Sequence, residues 1–215
     1  FMTEQESVTA LDLATDAFGQ WRCVSSESRA DIMFRAADLR EQRRDEFFAL
    51  LIREAGKTAA NAVSEVREAV DFLRYYASEV RRTFDNRTHR PLGPVVCISP
   101  WNFPLAIFLG QVSAALVAGN TVLAKPAEET PLIARLAIQV LHDAGIPQDV
   151  LQLISGAGNI GAHLVADSRT RGVLFTGSTA VARSIRGVLS SRLNPDGQPV
   201  PLIAETGGMN AMIAD

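Results

Sequence analysis

Beyond about residue 90 the chain alternates short apolar runs with segments of helical length, and this alternation restricts the fold more than any other feature. Val95–Ser99, Thr121–Ala124, Val150–Ile154, Gly172–Phe175 and Val200–Ala204 are almost continuously apolar, as strands covered on both faces are. Between them, Leu105–Ala118, Thr130–Ala144, Asn159–Val165 and Gly177–Ser191 read as helices. Their punctuation agrees: Gly119-Asn120 ends the first, Thr130 caps and Pro131 opens the second, and Gly145 and Pro147 close it. Strands and helices in this order predict an α/β, Rossmann-like, mostly parallel sheet with helices on both faces. Ala211–Ile213 is a further strand candidate.

Residues 8 to 82 read as helical throughout, so a helical region (1–84) is expected to pack on the α/β region (85–215) as one structural unit. Val8, Leu11, Leu13, Ala14, Phe18 and Trp21 recur at helical spacing. Ser28 is a candidate cap for a second helix, with Ile32, Met33, Ala36 and Leu39 as its apolar face and Arg40 to Arg44 as a solvated one. A third helix, Asp45–Ala55, stops at Gly56. A long fourth, from about Thr58 to Arg82, carries the stripe Val63, Val66, Ala69, Val70, Leu73, Tyr76, Ala77 and Val80. The turn-rich Asp85–Pro94 segment connects the two regions.

With 215 residues, 47% of them hydrophobic and 21% charged, a large buried core is expected. A net charge of −3 without a basic stripe argues against nucleic acid as a partner. The apolar stretch Leu105–Ala124 is interrupted by Gln111, Ser113 and Asn120 and bracketed by Pro104 and Pro126, which fits a buried helix, turn and strand better than a membrane span. Cys23 and Cys97 lack metal-ligand spacing, so no metal is expected, and they read as reduced thiols of a cytoplasmic protein. The polar, acidic start from Phe1 to Glu6 has no signal-peptide character.

Four segments carry candidate chemistry. Gly156-Ala157-Gly158-Asn159-Ile160-Gly161 fits the dinucleotide fingerprint, and it fits a tight strand-to-helix turn equally well, since no acidic partner follows at the expected distance. Phe175-Thr176-Gly177-Ser178-Thr179 is the better phosphate cradle: a helix start offers unpaired N–H groups, a positive dipole end and the Ser178 hydroxyl, although Ser178 also suits a plain N-cap. Lys125-Pro126-Ala127-Glu128 follows a strand, where a lysine and a glutamate three apart can hydrogen-bond ribose hydroxyls. In Ser99-Pro100-Trp101-Asn102-Phe103-Pro104, two prolines stiffen a loop presenting an amide donor, the group an oxyanion hole needs.

PWNFP, AGNTVLAKPAEETP, FTGST and ETGG, in this order and spacing, resemble the aldehyde dehydrogenase superfamily. The similarity spans nearly the whole chain, including Glu54–Thr58, and is strongest to the aldehyde dehydrogenase module of the proline utilization A branch, through Val66–Ala77 and Thr88–Pro100. The resemblance implies a cofactor-binding domain that takes NAD, in an enzyme oxidising glutamate semialdehyde to glutamate, with FAD confined to a separate proline dehydrogenase domain of the parent protein. By position, it implies Asn102 as oxyanion donor, Glu205 as the base that activates water, Lys125 and Glu128 on the ribose, and Gly177 and Ser178 at the pyrophosphate. It also implies Gly207 and Gly208 near the nicotinamide, Phe103 in the aldehyde pocket, and Glu68 at the substrate end.

The sequence departs from the family pattern at Ala182, where a glycine is usual in the Ser178 helix, and at Met209, where glutamine is usual. The family nucleophile is a cysteine downstream of the Glu205 segment, and neither Cys23 nor Cys97 lies in its motif. The polypeptide is therefore expected to be inactive alone, with apolar surface left open near Phe103, Leu105 and Ile213 that favours self-association. A different reading keeps the same residues as a non-catalytic dinucleotide-binding or assembly module, or as part of a dehydrogenase for another aldehyde.

Overall fold

The computed structural model describes residues 1–207. Four helices come first: α1 (Glu4–Trp21), α2 (Ser26–Gln42), α3 (Arg44–Ala55) and α4 (Ala59–Thr83). Then strands and helices alternate: β1 (Pro94–Ile98), α5 (Ala106–Val117), β2 (Thr121–Lys125), α6 (Pro131–Asp143), β3 (Leu151–Leu153), α7 (Gly158–Ala166), β4 (Gly172–Gly177), α8 (Thr179–Leu189) and β5 (Leu202–Thr206). The expected strand at Ala211–Ile213 lies outside the described residues.

The strands form one parallel sheet in the order β3-β2-β1-β4-β5. Successive side chains of a strand point to opposite faces, and both faces are covered. Val95, Cys97, Val122 and Ala124 enter one core with α2 to α6. Val96, Leu123 and Ile98 pack with α1 and α7, and Val173 and Phe175 with α8. This two-sided burial is why the strand sequences lack polar alternation.

The two regions are tied by carboxylates. Helix α5 has no side-chain cap from its own N-cap residue, Leu105. Instead Glu65 of α4, 1% exposed, accepts the N–H of Leu105 (2.9 Å) and of Ala106 (3.3 Å) through Oε1, while its Oε2 lies 3.0 Å from Lys57 Nζ. Helix α6 follows the same plan. Thr130, read as its cap, makes no capping bond, and Glu54 accepts from Leu132 N (2.7 Å) and Ile133 N (2.9 Å). A carboxylate at a helix N-terminus satisfies orphan donors and meets the positive end of the dipole.

Several local expectations are corrected. Ser25, not Ser28, caps α2, and Ser28 supplies the N–H that it accepts. Arg40 does not belong to a solvated face: it is 1% exposed, its Nη1 donates to Val66 O (2.7 Å), and its guanidinium stacks 4.5 Å from the Phe47 ring centroid. Burial pulls its pKa below the ordinary arginine value, and the nearby Glu65 charge pulls it partly back. Leu13 and Val63, placed on apolar stripes, are exposed, and their helices bury Ala10, Ala17, Ala62 and Glu65 instead. Leu105, expected at an open apolar surface, is fully buried under α5.

Glu65→Ala is expected to lower stability by about 3–5 kcal/mol, because it strands two helix N–H groups and the Lys57 ammonium. Glu65→Gln, which keeps an acceptor, should cost distinctly less. Urea unfolding midpoints measure both.

Candidate functional site

The chain runs outward from β1 through β2 to β3, then returns to place β4 and β5 on the other side of β1. Connections after β1 and β4 therefore diverge and leave a crevice beyond their carboxyl ends, the place where open α/β sheets bind ligands. Three segments surround it: the loop after β1, the turn from β4 into α8, and the end of β5. They enclose a cleft of about 700 Å³ whose lining includes Asn102, Phe103, Gly177, Ser178, Glu205 and Gly207. The structure thus brings six of the expected site residues together.

Each is placed for a local reason. Asn102 lies exposed on the stiff Pro100–Pro104 loop, held at its far end where α5 begins. Ser178 is the N-cap of α8, accepting from Val181 N at 3.3 Å, and with Thr179 it turns the first turn of that helix toward the cleft. Gly177 is required sterically: a Cβ there would meet Phe175 Cζ at 2.7 Å, pushing the ring out of the cleft floor. Gly207 has φ +52°, a left-handed conformation that glycine adopts without strain. Glu205 pairs with Thr176 across β4 and β5 and is exposed. It also borders a second groove along α5, where Gln111 Nε2 donates to Thr176 Oγ1 (2.9 Å).

Lys125 sits one step away. It ends β2, is only 5% exposed, and its Nζ donates to Pro126 O at 3.1 Å. Its stem lies on Gly161, where an added Cβ would come within 3.2 Å of Cδ. Burial pushes the lysine pKa down, with Glu128 and Glu129 acting in the opposite sense. Lys125 lines an apolar groove of about 260 Å³ between α7 and α8, walled also by Gly158, Gly161, Val181, Ile185 and Val188. The Gly156–Gly161 motif therefore shapes this groove. Glu128 is exposed just beyond it and lines neither cavity. Glu68 stands on the outer side of α4, in a shallow depression with Arg67, Asp71 and Tyr75, apart from the other site residues.

Sequence reasoning missed two contributors. Ser99 is 4% exposed, lines the cleft, and its Oγ has no protein partner among the described residues. Val181 and Val188 form the outer wall of the groove, being 47% and 40% exposed while Ala182, Ile185 and Leu189 face the sheet. A second apolar stripe on a helix already amphipathic was the available signal. Ala182 is absorbed into the core beside Phe175, so the departure from glycine fits without a clash.

A parallel sheet whose switch-point crevice meets a helix N-terminus defines a doubly wound α/β domain of the nucleotide-binding kind. The chain belongs to the aldehyde dehydrogenase family, whose family model matches residues 2–215. It is 59% identical over 214 residues to the bifunctional protein PutA of Salmonella typhimurium, covering 99% of this chain and 16% of that protein. It is 42% identical over 221 residues to a 1-pyrroline-5-carboxylate dehydrogenase of Bacillus cereus, covering 96% of this chain and 42% of the relative. A crystal structure of proline utilization A from Bradyrhizobium japonicum superposes with a TM-score of 0.92 at 52% identity, over 100% of this chain and 23% of that one. The Thermus 1-pyrroline-5-carboxylate dehydrogenase with bound NAD superposes with a TM-score of 0.88 at 35% identity, over 96% of this chain and 43% of the other. The chain thus spans less than half the length of these relatives.

Neither thiol lines the cleft. Cys97 is buried in the sheet, which pushes its pKa far up, and Cys23 is exposed after α1, its Sγ donating to Gly19 O at 3.3 Å. A thiol reagent should titrate Cys23 in the native protein and Cys97 only in denaturant. Rapid native modification of Cys97, located by peptide mapping, contradicts this placement.

Proposed function

We propose that the chain is the cofactor-binding part of an NAD-dependent dehydrogenase that oxidises L-glutamate 5-semialdehyde to glutamate in proline catabolism. The observation that carries this reading is the convergence of Asn102, Phe103, Ser178, Glu205 and Gly207 on one switch-point cleft, with Lys125 lining the adjoining apolar groove. A relative named 1-pyrroline-5-carboxylate dehydrogenase aligns over 96% of the chain.

The residues fit NAD. The groove is apolar, as an adenine ring requires, and among the described residues Lys125 Nζ bonds a single backbone carbonyl, so it retains donors for ribose hydroxyls. Glu128 lies close enough to raise the Lys125 pKa, and its charge opposes a 2′-phosphate, which favours NAD over NADP. Ser178 and the first N–H groups of α8 suit the pyrophosphate. Bound NAD supplies a hydride acceptor.

Around that acceptor the chain's own groups divide the work. The Asn102 amide donates a hydrogen bond to the aldehyde oxygen as negative charge develops on it. Phe103 shields the carbon chain from water. Glu205 takes a proton from the water that releases the acid. Glu68 is assigned to the substrate end through the family pattern alone. The thiol that attacks the aldehyde in this family is neither Cys97, buried in the sheet, nor Cys23, outside the cleft.

Isothermal titration should show NAD binding to the chain and a loss of roughly tenfold or more in Lys125→Ala, the size expected for charge-assisted hydrogen bonds. Glu205→Gln should leave NAD affinity nearly unchanged. Aldehyde-dependent NADH formation by this polypeptide alone should be absent. Equal NAD affinity in Lys125→Ala and the parent would remove the cofactor assignment.

The same surface favours self-association. Trp101, Phe103 and Ile203 are 57%, 40% and 59% exposed around the cleft and the last strand of the sheet. Sedimentation velocity over a concentration series should show the average mass rising. A constant monomer mass argues against it.

A further inference from the structure

We infer that Lys57, held by Glu65, is a positioning residue for the Asn102–Phe103 loop. The inference rests on the proposed role of that loop in holding the aldehyde.

The loop is anchored on two sides by one buried ion pair. At its far end, Glu65 Oε1 accepts from Leu105 N (2.9 Å) and Ala106 N (3.3 Å), fixing the backbone directly after Pro104. In the loop itself, Lys57 Nζ lies 4.0 Å from the Phe103 ring centroid. The same ammonium is 3.0 Å from Glu65 Oε2, and both partners are shielded, at 14% and 1% side-chain exposure. Phe103 is 40% exposed on its other side, and Trp101 and Asn102 are exposed too. The prolines stiffen the backbone of this loop, but its exposed side chains have little packing around them, and the cation over Phe103 gives that ring a preferred seat. An ammonium over an aromatic face is attracted by the ring's electron-rich face, more strongly as water is excluded. Asn102 precedes that ring in the chain, so an ordered Phe103 narrows the positions open to the amide. Oxyanion stabilisation depends on a donor placed before the charge appears.

Local sequence explains why Lys57 can reach. Gly56 takes φ +64° and ends α3, and Thr58 begins α4 by accepting from Asn61 N (3.2 Å). Lys57 lies between two fixed helix ends, so its stem projects from a determined point. Arginine at 57 retains both the charge and the ring contact. Methionine keeps an unbranched apolar stem and loses the charge and the cation–ring attraction, leaving at most a weaker sulfur–aromatic contact.

The test uses the double variant Lys57→Met/Glu65→Gln, which removes both charges of the pair together, keeps an acceptor for the α5 N–H groups and leaves Glu41 as the carboxylate near the buried Arg40. Fluorine NMR with fluorophenylalanine reads Phe103 directly, its resonance assigned by loss in Phe103→Leu. Iodide quenching reads the exposed Trp101, since Trp21 is buried. In the folded double variant the Phe103 resonance should move and sharpen, and Trp101 quenching should rise, whereas Lys57→Arg should match the parent. An unchanged resonance and unchanged quenching in a folded double variant overturn the inference. If the double variant does not fold, Phe103→Leu alone decides: Trp101 quenching must rise with the unfolding midpoint retained, and unchanged quenching overturns the inference. NAD titration of the same proteins separates the two readings. Loss of loop order with intact NAD affinity supports positioning, and absence of NAD binding in the parent refutes only the cofactor assignment.

Discussion

The fold depends on two carboxylates that leave the helical half to close helices in the other half. Helices α5 and α6 begin without a side-chain cap of their own, and Glu65 and Glu54 supply it across 40 and 78 residues of chain. These contacts tie α3 and α4 to the first turns of α6 and α5. Arg29 acts at the opposite pole: fully buried, its Nε donates to Val117 O (2.8 Å) at the last turn of α5. Helix α5 thus has both ends satisfied by the N-terminal helices, and it is the helix that leads away from the Asn102 loop. The buried polar groups set the orientation of α5, and the surrounding apolar contacts hold it there.

The candidate site follows from this arrangement. The order β3-β2-β1-β4-β5 separates the connections after β1 and β4, and a rigid α5 fixes one lip of the opening. The other lip is the start of α8, where Gly177 has space only for hydrogen because the Phe175 ring lies against it. Lys125 is placed by a different glycine, Gly161, on which its stem rests. Both glycines accommodate a neighbouring side chain, and neither has the positive φ of a turn glycine.

Much of the architecture was legible in the sequence because it rests on short-range rules. Apolar runs marked the five strands, Gly56 and Pro131 marked helix boundaries, and the motif order indicated the family. Three of the misreadings, at Arg40, Thr130 and Leu105, share one cause: side chains that act at a distance. Arg40 looked solvated because a local pattern cannot show that Val66 O and the Phe47 ring await it. Thr130 looked like a cap because Glu54 is remote in sequence. Leu105 looked exposed because the seal provided by α4 is invisible in its own segment. At the site, Asn102, Ser178 and Glu205 were found through motifs, whereas Ser99 and the Val181–Val188 wall needed the assembled cavity.

Glu205 stands on the last strand of the sheet and borders both the switch-point cleft and the α5 groove. A carboxylate open on two sides, in the base role proposed for Glu205, would not need the larger side vacated before water reached it. On the proposed assignment, solvent entering beside Gln111 and Thr176 would reach that carboxylate with a nucleotide in the opposite cleft, so hydrolysis and cofactor exchange would not share one doorway.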